Sequence, residues 1–404
     1  MRLLHIVNVG FEAGGAEKSV RIIAEGLRAR GHEIHVLSTD HLLDGSQDCF
    51  ADTVVPAVAG SAAARLAGYF WNRQAYRATR RLIAQFRPDC VHLHTIGEFS
   101  PSVLAATRNL PRVLTVHGPE DWTLKLLRWN LASATRGSAL SPADRARYLY
   151  LRFMQRPAYL LWLRHLDRII TPSEYFAEAV RGDVGKVPIT VLANGIEDLP
   201  GIEDATAPDP YHVVYVGRLT RVKGVHVLVD AVRRLQEQGI KARLSVVGDG
   251  DERGALESAA AELIAAGAVQ FHGWQSQDSV TRLVSGAAAV VIPSLWPENF
   301  PTVALEALQL GRPLIASRVG GLPELVGDDN GVLVPPGDPA RLAAALASVL
   351  GDERRQAALG QGSSARAQRY RVDAFLDNLL ACYWEISDRR SEQRSTPSEA
   401  GIRP

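Results

Sequence analysis

The sequence predicts an α/β fold of two doubly wound domains. Three observations carry this expectation. Short β-rich apolar runs alternate with longer helical segments, the alternation restarts once near the middle, and 404 residues suffice for two or three domains. The first series of runs covers residues 3–9, 34–38, 90–94, 113–117, 169–171 and 190–192. The second covers 213–216, 244–247, 269–272, 289–292 and 314–316. Helical segments between them include 17–30, 69–86, 225–238, 252–265 and 302–310. Such alternation implies βαβ crossovers and parallel sheets. Runs apolar at consecutive positions suit sheets covered on both faces.

The restart follows a stretch rich in Pro, Gly and Asp, so residues 1–195 are expected as the first domain, 196–210 as a linker and 211–371 as the second domain. A last helical pattern, 372–387, completes one of the two halves. The polar tail 388–404 is expected to be disordered.

Composition narrows the function classes. Hydrophobic residues make up 46% and charged residues 22%, which excludes bulk disorder, collagen and coiled coil. With 45 basic and 44 acidic side chains the net charge is +1, so a nucleic-acid partner is not expected. The three cysteines, Cys49, Cys90 and Cys382, are too scattered for a disulfide framework or a structural zinc site, and they read as reduced thiols of a cytoplasmic protein. Residues 1–7 lack the long apolar core and cleavage site of a signal peptide, and no stretch reaches about 18 uninterrupted apolar residues. The expected location is cytoplasmic. Residues 119–168 interleave aromatic and aliphatic side chains with arginines, including Arg128, Arg136, Arg145, Arg147, Arg152, Arg156 and Arg164. They read either as helices packed on the core with a solvated basic face or as a surface that meets a lipid-linked acceptor or the anionic inner face of a membrane.

Chemistry concentrates where strands end. After the first run comes Gly10-Phe11-Glu12-Ala13-Gly14-Gly15-Ala16-Glu17, a glycine turn into a helix whose N–H groups could approach an anion. Taken alone it serves equally as a plain tight connection. Its spacing is not G-x-G-x-x-G, and the acid expected after it is missing, so a nicotinamide dehydrogenase is disfavoured. The second half opens in parallel with Gly217-Arg218-Leu219-Thr220-Arg221-Val222-Lys223-Gly224, whose Arg218 and Lys223 could neutralise a diphosphate or serve only as solvated loop cations. Gly248-Asp249-Gly250 and Phe271-His272-Gly273-Trp274 end two further runs. Glycines at strand C-termini face the edge where open α/β sheets bind ligands. His117-Gly118 ends another run, and there His117 is a candidate to contact a transferred group. In the stretch 293–307, Glu298 precedes a helix and Glu306 lies on it. The first carboxylate could accept from sugar hydroxyls and the second could take both hydroxyls of a ribose.

These residues, in this order, resemble the retaining family-4 glycosyltransferases of GT-B fold. The resemblance rests on Gly14-Gly15-Ala16-Glu17, His117-Gly118, Gly217-Arg218-Leu219 with Lys223-Gly224, Gly248-Asp249-Gly250 and the E-x₇-E of Glu298 and Glu306. Gly320-Gly321 with Glu324, and Gly331 with Pro335 to Asp338, add to it, so that it spans residues 3–385. It implies two Rossmann-like domains facing a cleft, with the helix 372–387 crossing back to the first. It also implies transfer of a sugar from a nucleotide-diphosphate donor to a carbohydrate or lipid-linked acceptor, in polysaccharide, glycolipid or other glycoconjugate biosynthesis.

On that resemblance Arg218 and Lys223 hold the diphosphate, the Gly15 backbone approaches it, Glu298 binds the sugar, Glu306 the ribose, and His117 helps position the reacting centre. The implied catalytic set is His117, Glu298, Arg218 and Lys223. The implied donor-binding set is Gly14, Gly15, Arg218, Lys223, Gly248, Asp249, Glu298, Asn299, Phe300, Thr302 and Glu306. The implied site residues call for no metal and no cofactor. One departure is Pro301, where the family often carries Gly; it removes one backbone donor. Two other readings share these features: a sugar-nucleotide epimerase of the same fold, and a catalytically silent sugar-nucleotide-binding protein.

Overall fold

The computed structural model describes residues 1–45, 47–118, 120, 122–123, 142–199 and 208–395. The chain divides into two compact units, and both have the α/β class that the alternation predicts. Among the described residues, one unit holds the chain up to Gly195 together with 372–395, and the other runs from Ile196 to Arg371.

The first unit is built on a seven-stranded parallel sheet. Its strands are β1 (Arg2–Val9), β2 (Glu33–Thr39), β3 (Thr53–Val55), β4 (Cys90–Leu93), β5 (Arg112–Thr115), β6 (Arg168–Thr171) and β7 (Ile189–Val191). They lie in the order β3-β2-β1-β4-β5-β6-β7. The second unit carries six parallel strands, β8 (Asp209–Val216), β9 (Arg243–Val247), β10 (Val269–Gly273), β11 (Ala287–Ile292), β12 (Leu314–Ser317) and β13 (Gly331–Val334). Their order is β10-β9-β8-β11-β12-β13. In each sheet the chain builds outward to one side, returns to the centre and builds outward to the other. The connections therefore diverge at a switch point, between β1 and β4 in the first sheet and between β8 and β11 in the second. A crevice opens at such points beyond the strands' C-terminal ends.

Side-chain alternation assigns the faces. Leu4 and Ile6 of β1 and Val91 and Leu93 of β4 join one buried apolar cluster. Leu3 and Val7 of β1 and Cys90 of β4 join a second, with Ile23 and Leu27 of the helix Gly15–Ala29 and with Phe375, Leu376, Leu379 and Tyr383 of the helix Val372–Ser395. The C-terminal helix thus seals one face of the first sheet.

Several boundaries differ from the sequence-based expectation, each for a local reason. The last helix continues through Ser395, so residues 388–395 are helical where a disordered tail was expected. Arg389 pairs with Glu385 one turn back at 2.5 Å, and Arg390 pairs with Asp167 at 2.7 Å, which extends the docked helix. Residues 396–404 lie outside the described residues. The segment 69–86 is not one helix. Asn72 interrupts it, its side chain accepting from Ala75 N at 2.9 Å and capping the helix Arg73–Phe86, while Ala62–Phe70 forms a separate helix before it. The segment 252–265 likewise divides into Arg253–Ala259 and Ala261–Ala265 at Ala260, whose ψ of 7° leaves the helical range. The edge strands β3 and β13, three and four residues long, carry too little pattern to be anticipated. Strand β8 begins at Asp209, inside the stretch expected as linker, because Asp209 N donates to Gly286 O at 3.0 Å. Linker residues 200–207 lie outside the described residues. No described helix is long and apolar enough to cross a membrane.

Arg112 on β5 is fully buried and ties the sheet to its covering layer. Its guanidinium donates to the carbonyl of Leu104 and, at 3.0 Å, to that of His165. Burial lowers its pKa to about 10, with Asp167 acting in the opposite direction, so it stays charged at neutral pH. Arg112→Leu should cost roughly 3 kcal/mol, because two buried carbonyls lose their donor. Urea unfolding checks this, and wild-type stability in the variant would contradict the assignment.

Candidate functional site

In the second unit, the switch point between β8 and β11 gathers the charged groups. The turn after β8 carries Gly217, the exposed Arg218 and the partly buried Lys223. The loop after β11 carries Ser294 and Glu298. Lys223 Nζ donates to Glu298 Oε1 at 2.7 Å, and Ser294 Oγ donates to the same oxygen at 2.5 Å. Glu298 is only 7% exposed and Glu306 6%, so neither is the solvated acid that a plain loop-and-helix reading would make it. Burying a carboxylate is costly without a cation and hydrogen bonds, and Lys223 and Ser294 supply both.

Backbone packing holds this pair in place. Gly224 has φ +71°, and a Cβ there would meet Pro293 O at 2.0 Å, so only glycine lets the β8 turn lie against the β11 loop. Leu295 N donates to Val222 O at 2.8 Å across the same contact. On the other side Gly320 has φ +58°, with Glu298 O 2.0 Å from a would-be Cβ, and Gly321 N donates to Glu298 O at 2.7 Å. The Gly320-Gly321 pair is thus a backbone buttress for Glu298. Tyr215 on β8 donates its hydroxyl to Arg218 O at 2.9 Å and fixes the start of the cationic turn. Burial raises the Tyr215 pKa, with Glu298 adding to the effect, so it remains a neutral donor.

The remaining candidates of this unit divide. Asn299 is buried in the same loop, and Thr302 opens the helix Thr302–Gln309, which carries Glu306 in its second turn. Pro301 stands one residue before the helix, at the N-cap. Phe300 is buried edge-on against the Tyr370 ring, 5.4 Å between centroids, a packing contact. Gly248 lies at the same sheet edge, its N–H donating to Gly273 O at 2.8 Å. The Asp249 carboxylate is exposed, accepting from Gly250 N at 2.8 Å and pairing with Arg253 at 2.9 Å. Those two contacts, the backbone N–H first, lower its pKa.

In the first unit, Gly14 is the N-cap residue of Gly15–Ala29 and its side-chain-free backbone leaves that helix start without a capping side chain. Its φ of −177° is open to any residue and the nearest atom to a built Cβ is 3.6 Å away, so the fold itself does not require glycine here. Gly14 and Gly15 are both exposed. On the face sealed by the C-terminal helix, β1 and β4 carry His5 and His92, and His94 and His117 follow the ends of β4 and β5 to complete a row. His5 Nδ1 lies 3.1 Å from His94 Nε2, and His94 Nδ1 lies 3.0 Å from His117 Nε2. His92 is engaged at both nitrogens, with Tyr383 OH at 2.5 Å and Thr115 Oγ1 at 2.7 Å. Ligand atoms of His5, His92 and His94 come within 4.8 Å of one another, as a metal would need. Both nitrogens of His92 and of His94 are already occupied, however, which makes this a hydrogen-bonded array and not a ligand shell.

Sequence reasoning singled out His117 but missed Ser294, Tyr215, His5, His92 and His94. The signal for the histidines was the alternation His92-x-His94 inside an otherwise apolar strand, which puts both on one face. Their partners on β1 and β5 could not be read without the strand order.

Burial lowers the pKa of His5 to about 3, with Arg28 adding to the effect, and that of the half-buried His117 to about 4. His92 and His94 are held well below the usual range, burial again first. In the unfolded chain each histidine takes up its proton near pH 6.5. The folded state refuses that proton until far lower pH, so stability is lost as pH falls below about 6.5. Urea unfolding between pH 7 and 5 should show this decline, and His5→Leu should make it shallower by up to about 1.4 kcal/mol per pH unit. An unchanged slope would contradict the buried neutral state.

Comparison with known proteins follows the same division of the chain. The family profile described as "Glycosyl transferases group 1" matches residues 203–366, and that described as "Glycosyltransferase Family 4" matches residues 13–198. A glycogen synthase of Mycobacterium tuberculosis is 31% identical over 393 residues, covering 90% of this chain and 88% of the relative. Among solved structures, sucrose-phosphate synthase from Thermosynechococcus elongatus superposes with a TM-score of 0.74 at 22% identity, covering 96% of this chain and 99% of that one. Anabaena HepE in complex with UDP-glucose superposes with a TM-score of 0.67 at 20% identity, covering 95% and 100%.

Proposed function

The chain belongs to the group 1 family of glycosyltransferases, and on that premise we propose that it moves a sugar from a nucleotide-diphosphate sugar to an acceptor hydroxyl with retention at the anomeric carbon. The observation that carries the reading is the Lys223–Glu298 pair at the β8–β11 switch point, with Arg218 on the same turn and the helix Thr302–Gln309 starting beside it. The UDP-glucose held by the structurally similar HepE supports a nucleotide-diphosphate donor.

The physics suits this reaction. Breaking the bond between the anomeric carbon and the phosphate oxygen leaves a diphosphate with added negative charge. Arg218, Lys223 and the N–H groups of the helix start meet that charge without reorganising. Lys223 then shares its proton-bearing nitrogen between Glu298 and the phosphate, while Glu298 accepts from sugar hydroxyls. Glu306 takes the ribose hydroxyls. The acceptor oxygen attacks on the face the phosphate leaves, and its proton passes to the departing phosphate oxygen. The carboxylates and cations named here account for the charge, so the reading calls for no divalent ion. The acceptor is a carbohydrate or lipid-linked sugar of glycoconjugate biosynthesis.

Transfer from a panel of nucleotide sugars tests the reading, with EDTA expected to leave the rate unchanged. Lys223→Ala and Arg218→Ala should each lower turnover roughly 100-fold and weaken donor binding. Glu306→Ala should weaken binding of the nucleoside diphosphate even without sugar. Full activity in both cation variants would remove the clamp, and an epimer formed from donor alone would favour the epimerase.

A second surface bears on where the acceptor is met. Leu66, Leu149, Phe153 and Met154 are each more than half exposed, and the exposed Arg65, Arg145 and Arg152 stand among them. Tyr150 OH donates to Leu66 O at 3.2 Å, joining the helix Ala62–Phe70 to the π-helical turn Leu151–Gln155. Trp122, Tyr159 and Leu163 of the same region are core, whereas residues 124–141 lie outside the described residues. Apolar side chains ringed by arginine suit an anionic lipid surface. The protein should sediment with vesicles containing anionic phospholipid, less so as salt rises, and Phe153→Ser with Met154→Ser should abolish it. No sedimentation at low salt would leave packing alone.

A further inference from the structure

Two cavities of the first unit adjoin at the N-terminal edge of its sheet, opposite the edge where His94 and His117 follow their strands. Arg108 precedes β5 there, and Leu166 and Asp167 precede β6. One cavity, of about 530 Å³, is lined by Arg108, Arg164, Asp167 and Arg390. The other, of about 470 Å³, is lined by Leu160, Leu163, Val184, Val187 and Pro188, with Lys186 beside them. Arg164, His165 and Leu166 line both. Each cavity has the size of a small-molecule site, roughly 300–1,000 Å³. Their chemistry differs, guanidinium groups in the first and hydrocarbon in the second.

The positive charge around these cavities exceeds what their acids answer. Asp167 has both carboxylate oxygens engaged, accepting from Arg390 Nε at 2.7 Å and from Arg112 N at 2.9 Å. Asp183, the acid beside the apolar cavity, accepts from Arg156 at 2.7 Å. Arg108, Arg164 and Lys186 are exposed and form no ion pair among the described residues. Arg164 Nε donates to His165 Nε2 at 3.2 Å, which holds the guanidinium by one edge. Burial first, then the charges of Arg164, Arg112 and Arg390, lower the His165 pKa, so the ring stays neutral and accepts that bond. The positive field continues along the helix Arg73–Phe86, which carries four arginines and no acid. Its Arg80 reaches Ala106 O at 3.5 Å, just before Arg108.

We propose that the paired cavities bind an anionic phospholipid, with its phosphate between Arg108 and Arg164 and an acyl chain along the leucine- and valine-lined groove. Guanidinium forks match phosphate oxygens, and a carbon chain laid in the groove removes its apolar lining from water. A free phosphate would use only the first cavity and a neutral lipid only the second. Two adjoining cavities of opposite character select a molecule that has both parts. The site shares no residue with the exposed surface of Leu66, Phe153 and Met154, and it stands independently of the donor reading.

Calorimetric titration of the full-length protein with dihexanoyl phosphatidic acid, kept monomeric below its micelle concentration, tests the site. It should bind at least about tenfold more tightly than glycerol 3-phosphate or dihexanoylglycerol, each of which lacks one half. Glycerol 3-phosphate binding as tightly overturns the groove, dihexanoylglycerol binding as tightly overturns the arginine cavity, and no binding of the phosphatidic acid overturns both. Arg108→Ala with Arg164→Ala should weaken the phosphatidic acid about tenfold or more. Both side chains are exposed, so the fold should be kept, which urea unfolding checks. Leu160→Asn, at a half-buried position, should weaken the phosphatidic acid without changing glycerol 3-phosphate binding. Unchanged affinity in either variant overturns the assignment. Phe153→Ser with Met154→Ser should leave the monomeric lipid bound as before, and loss of binding there would place the lipid on the exposed surface and overturn the cavity site.

Discussion

A parallel sheet delivers the C-terminal ends of all its strands to one edge, and the chemistry of this chain depends on that constraint twice. In the second unit the edge gathers the cationic turn after β8 and the acidic loop after β11, which are some 75 residues apart in sequence yet hydrogen-bonded at 2.7 Å. In the first it gathers the glycine turn after β1, His94 at the end of β4 and His117 after β5. The switch in winding direction decides which loops are neighbours. Had β11 been added beyond β10, Lys223 and Glu298 would stand on opposite sides of the sheet.

Both edges bury polar groups, and both compensate locally. Glu298 is out of water, and its charge is met by Lys223, by the Ser294 hydroxyl and by a loop that Gly224 and Gly320 allow to pack backbone against backbone. The histidines of the row, His5, His92, His94 and His117, are kept neutral by burial and are hydrogen-bonded to one another, to Thr115 and to Tyr383 of the closing helix, with His5 Nε2 left without a partner among the described residues. The C-terminal helix therefore does more than cover apolar surface: the buried hydroxyl of Tyr383 enters the polar array of histidines. A polar array inside a dry face admits few proton arrangements, and that scarcity is what gives it directional character.

The two units differ in their electrostatics. The second offers fixed charge, Arg218 and Lys223, suited to a diphosphate. The first offers neutral donors, an uncapped helix start and an imidazole denied its proton, suited to hydroxyls and to phosphate oxygens approached by backbone.

Much was legible in one dimension. The alternation of apolar runs and helical segments determined two parallel α/β units, because strand and helix periods differ and βαβ connections have one favoured geometry. Spacing alone picked out Glu298 and Glu306, since a loop acid and an acid in the following helix belong to one short segment. Tertiary structure decided the rest. Which side chain answers Glu298, how Gly320 buttresses it, and why a histidine in β1 matters to one after β5 are all questions of strand order. The edge strands β3 and β13 and the continuation of the last helix to Ser395 were equally hidden, because their stability comes from neighbours in space, such as Asp167 for Arg390, and not from their own pattern.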